Sequence, residues 1–372
     1  MLKISRILLL LLIGLFGSVG ATQTAEDLDE LAAKAQSKPD DPKLHYELAL
    51  AYAHVDSADL TVAEYKTLLR LNAAGADDPY LRTKVASFLD LEPYPLSPVL
   101  SDSAADRAPF FGGRGDELVY ESSKDGPWQI YLTNINGDSV RRITHDTMPS
   151  GQPALAPNGS TIGYARVSEK GWKLALINRG DTIPKIFDDI PGLARSPSFS
   201  PDGREIAFQW QNEGDEDFEI AILNPKSGKV RSLTENIYFD GKPKFSRDGK
   251  KIVYHSNQNL NFDIYVMDRN GKNPHPVAGN PASDFDPCFW GSDRIVFSSN
   301  RDGNFEIYLL DLKKNDILRL TNNNAEDREP TVSGDGHWLA FRSDRTKRYQ
   351  IYAFDLTKPV SREELAKKLA EE

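Results

Sequence analysis

The sequence predicts a mainly β protein, a six-bladed β-propeller preceded by a small α-helical domain. Three observations carry that prediction: a proline recurring six times at near-constant spacing, two glycine-containing hairpin turns in most of the intervening units, and helical patterning over Ala25 to Asp90, on the N-terminal side of Pro93.

The repeat prolines are Pro109, Pro153, Pro197, Pro243, Pro287 and Pro330, at intervals of 44, 44, 46, 44 and 43 residues. That length suits one four-stranded blade. In the clearest unit, Pro243-Lys-Phe-Ser opens an extended segment and Arg247-Asp248-Gly249 turns the chain. Lys251 to Ser256 and Asp263 to Asp268 then form β-rich runs, Asn270-Gly271 makes a second turn, and a short strand follows near Pro276-Val277. Asp-Gly and Asn-Gly supply the positive φ of tight hairpins, while β-branched and aromatic residues suit a pleated, half-buried surface. The unit recurs at Pro197 to Gly203 with Phe218 to Leu223, and at Asp293 to Ser299 with Phe305 to Leu310. The sixth repeat ends near Asp355-Leu356 without a fourth strand of its own, so Leu96 to Leu100 is expected to close the last blade as an edge strand.

The expected organisation is a signal peptide at 1–21, a helical domain at 25–91, a linker with the closing strand at 92–105, the propeller at 106–358 and a C-terminal helix at 360–372. Lys3 and Arg6 precede an apolar run from Ile7 to Phe16, with small residues through Ala21, which is the pattern of an export signal cleaved near Ala21. That run is shorter than a membrane span needs, so no span is expected in the mature chain. A net charge of -10 disfavours nucleic acid as a partner. The single cysteine, Cys288, cannot form an internal disulfide.

No serine stands in a Gly-x-Ser-x-Gly elbow, and the six histidines show no zinc-site spacing. The acidic loop Glu213 to Asp217 lacks the EF-hand pattern. No catalytic residue, metal site or cofactor is therefore expected. His255, placed by the repeat in line with Ser298 and Ser343, is assigned a packing role.

One positional pattern remains. Counting back three residues from the repeat prolines gives Asp106, Asp240, Asp284 and Asp327, with Ser150 and Ala194 in repeats two and three. Preceding the innermost strands, these acids are expected to gather at one mouth of the central channel, beside Arg107, Lys242, Asp286, Arg328 and Glu329. Mixed charge on a concave surface suits a basic peptide loop, a sugar or a cation. The competing reading is local: Asp before a strand also makes turns with backbone amides, and Asp-Arg neighbours pair.

The recurring Pro-x-Phe-Ser-Pro-Asp-Gly, Ile-x-Phe-x-Ser, x-Ile-Tyr and Arg-x-x-Thr segments resemble the TolB-type propeller family over residues 107–358. Ser298 to Asn304, Glu306-Ile-Tyr308 and Leu318-Arg-Leu-Thr321 carry the likeness most clearly. The resemblance implies a periplasmic protein that binds a peptidoglycan-associated lipoprotein in the Tol-Pal envelope system. The N-terminal region departs from the family's α/β domain: Leu48, Ala49, Tyr52, Tyr65 and Leu68 make residues 42–73 resemble a degenerate tetratricopeptide repeat. The expected function is thus a non-catalytic periplasmic scaffold that holds an envelope protein or lipoprotein on one propeller face, in envelope integrity or transport. The alternative is a polysaccharide lyase or hydrolase with its site in the channel, for which His145 and Arg195 are the candidates.

Overall fold

The computed structural model describes residues 25–100, 103–112 and 115–371; the expected signal peptide lies outside them. The chain divides into two compact units. One holds the described residues up to Pro95 with Lys313–Asn322 and Lys358 onward, and the other holds Leu96–Leu312 and Asn323–Thr357.

The first unit contains α1 (Ala25–Ser37), α2 (Pro42–His54), α3 (Ala58–Arg70), a 3-10 turn (Ala74–Asp77), α4 (Pro79–Phe88) and α5 (Arg362–Glu371). Two helix starts follow from Asp-Pro pairs. The Asp41 carboxylate accepts from the Lys43 and Leu44 amides and Asp78 from that of Leu81, with Pro42 and Pro79 in the first turn, where a missing N–H costs nothing. At α5 the Glu364 amide donates to Ser361 Oγ and the Ser361 amide to Glu364 Oε2, a reciprocal capping box. Ala49, Tyr65, Leu68, Leu81, Val85 and Leu365 form one core, each fully buried. The Tyr65 hydroxyl donates to the Ala76 carbonyl at 2.9 Å, so its polar end is satisfied there.

The second unit is the propeller, six four-stranded sheets in the fold as a whole. The innermost strands are Asp106–Phe111, Ser150–Leu155, Leu193–Phe199, Asp240–Phe245, Asp284–Trp290 and Asp327–Val332, here blades one to six. Each contacts the next, and the sixth contacts the first. Blades interlock through apolar side chains: Val119, Ile130 and Leu132 of blade one pack with Leu155, Ile162 and Tyr164 of blade two. Ring closure comes from Leu96–Pro98, which pairs antiparallel with blade six as Leu96 with Phe354, Ser97 with Ala353 and Pro98 with Tyr352. The Val99 amide donates to the Ile351 carbonyl at 2.8 Å. In an alternating antiparallel ladder, the neighbouring Pro98 then falls where no N–H is required.

The repeat proline has a physical cause. In every innermost strand the register slips across it, between Arg107 and Phe110, Gly151 and Ala154, Arg195 and Ser198, Gly241 and Lys244, Phe285 and Cys288, and Arg328 and Thr331. Each slip is a bulge, whose extra residues need no ladder N–H, so proline fits. The residue before each proline is left-handed: Ala108, Gln152, Ser196, Lys242, Asp286 and Glu329 have φ of 50, 52, 53, 53, 53 and 57°. Six non-glycine residues in this region, at roughly 1–2 kcal/mol each, mark the axis as a place where packing over-determines the backbone.

The channel mouth as candidate functional site

The bulge decides which residues reach the axis. The six left-handed residues line a small central cavity of about 40 Å³ together with five of the repeat prolines, Phe110 and Lys244. Lys242 stands between Glu329 at 3.4 Å and Asp286 at 3.8 Å. Glu329 Oε2 also accepts from the Ala108 amide at 3.0 Å, and its other neighbour is Arg342 at 3.6 Å. Burial alone would raise the Glu329 pKa, but Lys242 and Arg342 outweigh it and hold the carboxyl down at about 2. Burial likewise opposes the charge on Lys242, yet Glu329 and Asp286 keep its pKa raised. Lys244 fares worse: its ammonium lies 4.0 Å over the Phe110 ring, and burial, with Lys242 adding repulsion, outweighs the support of Cys288, Asp286 and Glu329 and pushes its pKa down to about 7.

The expected acidic mouth is corrected by the structure. Asp106, Asp240, Asp284 and Asp327 are at most 1% exposed. Asp284 accepts two bonds from Arg301 at 3.0 and 3.1 Å, Asp327 accepts from Arg345 and Asn323, and Asp240 from Asn236. Each pairs across the ladder with a serine of strand two: Ser122, Ser256, Ser299 and Ser343. Strand alternation turns them away from the face taken by the next residue. Asp240, Asp284 and Asp327 thus tie inner strands to side chains of neighbouring loops. The same register places Ser343 beside Ser299 and Ser256, so His255 aligns instead with Ser298 and Arg342.

What surrounds the mouth is basic and aromatic. The residues after the buried acids and their equivalents form a ring of Arg107, Gly151, Arg195, Gly241, Phe285 and Arg328, partnered across the ladder by Glu121, Ala165, Gln209, His255, Ser298 and Arg342. Beyond these, every blade has an aromatic residue at the start of its third strand: Trp128, Trp172, Phe218, Phe262, Phe305 and Tyr349, all partly exposed. Four arginines lie on such rings: Arg107 on Trp128 at 4.0 Å, Arg195 on Phe218 at 4.1 Å, Arg328 on Phe305 at 3.9 Å and Arg342 on Tyr349 at 4.3 Å. Phe218, Phe239, Phe262, Phe285 and Phe305 form a continuous run, with successive centroids 4.6 to 5.8 Å apart. His255 is buried among Phe239, Phe262 and Phe285. Its Nδ1 accepts from the Asp286 amide at 3.3 Å, and burial pushes its pKa down to about 4.

Sequence reasoning named Arg107, Lys242, Asp286, Arg328 and Glu329, and these do meet at the mouth and axis. It missed the aromatic ring, although the signal was present: an aromatic residue stands two positions before the isoleucine or leucine of every third strand, from Trp128 before Ile130 to Tyr349 before Ile351.

Residues 146–288 and 277–364 match the family model of the TolB β-propeller domain, together more than half of the chain. The chain belongs to the TolB β-propeller family. A TolB homologue of Chlorobium luteolum is 27% identical over 154 residues, which cover 41% of this chain and 34% of that protein. A homologue from Chlorobium chlorochromatii is 28% identical over 141 residues, 38% of this chain and 31% of its own length. The TolB-like chain thus matches about a third of the length of these curated relatives. Among solved structures, TolB from Acinetobacter baumannii aligns with TM-score 0.53 at 14% identity, over 81% of this chain and 71% of its own. An oligogalacturonate lyase in complex with manganese aligns with TM-score 0.50 at 12% identity, over 70% of this chain and 93% of its own. At these identities the structural matches show the fold alone. Among the described residues, no helix is long and apolar enough to cross a membrane, and no group of three His, Cys, Asp or Glu side chains is placed to hold a metal ion.

Proposed function

We propose that this TolB-like chain is a non-catalytic, exported scaffold of the cell envelope that holds another protein on the mouth face of its propeller. The observation that carries the reading is the ring of six partly exposed aromatic residues, four of them under arginine guanidinium groups, around a charged centre. Aromatic and arginine side chains contribute most to protein interfaces, because they bury large areas at low entropic cost. An axial cavity of about 40 Å³ has space for a few water molecules, and its charged lining residues Lys242, Asp286 and Glu329 are already paired with one another. The lyase reading would need a proton-transfer group near Arg195. His255 is packed between phenylalanines with its Nδ1 already taken by the Asp286 amide, while His145 stands exposed on the connection into blade two. The leader-like residues 1–21 would place the scaffold in the periplasm.

A paired substitution tests the reading. Phe305→Ala with Tyr349→Ala is expected to cut capture of the partner from envelope extract at least about tenfold, since interface anchors typically cost 2 kcal/mol or more. Ile183→Ala, in the groove between blades two and three, is expected to leave capture unchanged. Equal capture by the double variant and the native chain, with equal thermal stability, would remove the mouth face from the account.

A further inference from the structure

Resting on that reading, we infer that the mouth receives a carboxylate of the partner protein, an aspartate or glutamate side chain or a chain terminus, on Arg195 and Gln209 of blade three. Arg195 differs from its three counterparts. Arg107 has Glu121 at 2.8 Å, Arg342 has Glu329 at 3.6 Å and Arg328 has Asp286 at 3.8 Å. Opposite Arg195 the ladder places the neutral Gln209, and no described acid lies within ion-pair distance of the guanidinium. Its Nε is buried without a hydrogen-bond partner, as are those of Arg328 and Arg342, so the missing acid is what sets Arg195 apart. Burial lowers the Arg195 pKa with no acid to offset it.

Gln209 is the independent observation. The side chain is 2% exposed, and its Nε2 donor is buried with no partner. Two neighbouring strands of one blade therefore present a cationic donor and a neutral donor, both unsatisfied. Leaving such groups buried and unmade is costly, and a carboxylate, with two acceptor oxygens, answers both at once. The guanidinium is already held flat on Phe218, so little side-chain entropy is lost on capture. The apolar run beginning at Phe218 suits the side chains flanking an acidic residue in a peptide, and this favours a protein ligand over a uronic acid polymer carrying the same charge.

The test uses defined probes on the full-length protein: the peptide Ac-Gly-Phe-Asp-Phe-Gly-amide, its Asn counterpart, and digalacturonate, titrated by calorimetry. The expected result is that the Asp peptide binds at least about tenfold tighter than the Asn peptide, and that Arg195→Met removes the difference. Gln209→Glu supplies a carboxylate within the blade and is expected to abolish binding of the Asp peptide, which separates occupancy of the site from misfolding. Equal binding of the Asp and Asn peptides overturns the inference, as does Arg195-dependent binding of digalacturonate in preference to both. Loss of partner capture in the Phe305→Ala, Tyr349→Ala variant but not in Arg195→Met would retain the scaffold reading and discard the carboxylate.

Discussion

Replacing Lys84 by methionine is expected to destabilise the helical unit by about 3–5 kcal/mol, the usual cost of leaving one member of a buried ion pair alone. Lys84 is 1% exposed, and its ammonium makes three bonds: to Asp316 at 2.7 Å, to Asp56 at 2.9 Å and to the Ile317 carbonyl at 3.1 Å. The two carboxylates are not equivalent. Asp56 is largely exposed and loses little when its partner goes, because water takes over. Asp316 is buried, and without Lys84 its charge retains only the Tyr80 hydroxyl among these contacts. A denaturant titration reads the effect as a lower midpoint at unchanged slope. Adding Asp316→Asn to Lys84→Met should restore most of the loss, since the stranded charge goes with it. A single variant within 1 kcal/mol of the native chain would show that Asp316 is solvated far better than its burial indicates.

The second large effect is expected at the propeller axis. Glu329→Gln keeps an oxygen to accept the Ala108 amide but removes the negative charge beside Lys242 and Arg342. A carboxyl held at about 2 against an ordinary 4.5 contributes about 3 kcal/mol at neutral pH. The sign follows from linkage. The folded pKa lies below the unfolded one, so this stability is fully present above 4.5 and disappears as pH falls towards 2. Glu329→Gln should therefore be less stable than the native chain at pH 7, and the two should converge between pH 4.5 and 2. A gap that stayed constant across that window would mean that packing, not charge, explains the loss.

The fold was legible in the sequence because its signals repeat. A proline spacing near 44 residues and Asp-Gly or Asn-Gly turns need no three-dimensional context, and the bulge explains why the proline recurs. The site was only partly legible, and for the same structural reason. Counting back from Pro243 or Pro287 treats the strand as regular, whereas the bulge turns Lys242 and Asp286 to the axis while strand alternation buries Asp240 and Asp284 behind the inner strands. One-residue displacements of this kind reverse the sign of a predicted surface. Here they exchange an acidic mouth for a basic one on a chain of net charge -10. Phe218 and Phe305 stood in plain view within the repeat, but six such residues become a platform only once the blades close. The unpaired donors of Arg195 and Gln209 depend on cross-strand register, which short-range patterning does not contain.

A photoreactive phenylalanine analogue at position 262, on the mouth face, activated in living cells, reads out which molecule the propeller holds there. A discrete adduct with one envelope protein is expected, absent when the analogue stands at Ile183 and weakened by Gln209→Glu. A protein adduct at position 183 with none at 262, or a saccharide as the adduct at 262, would contradict it.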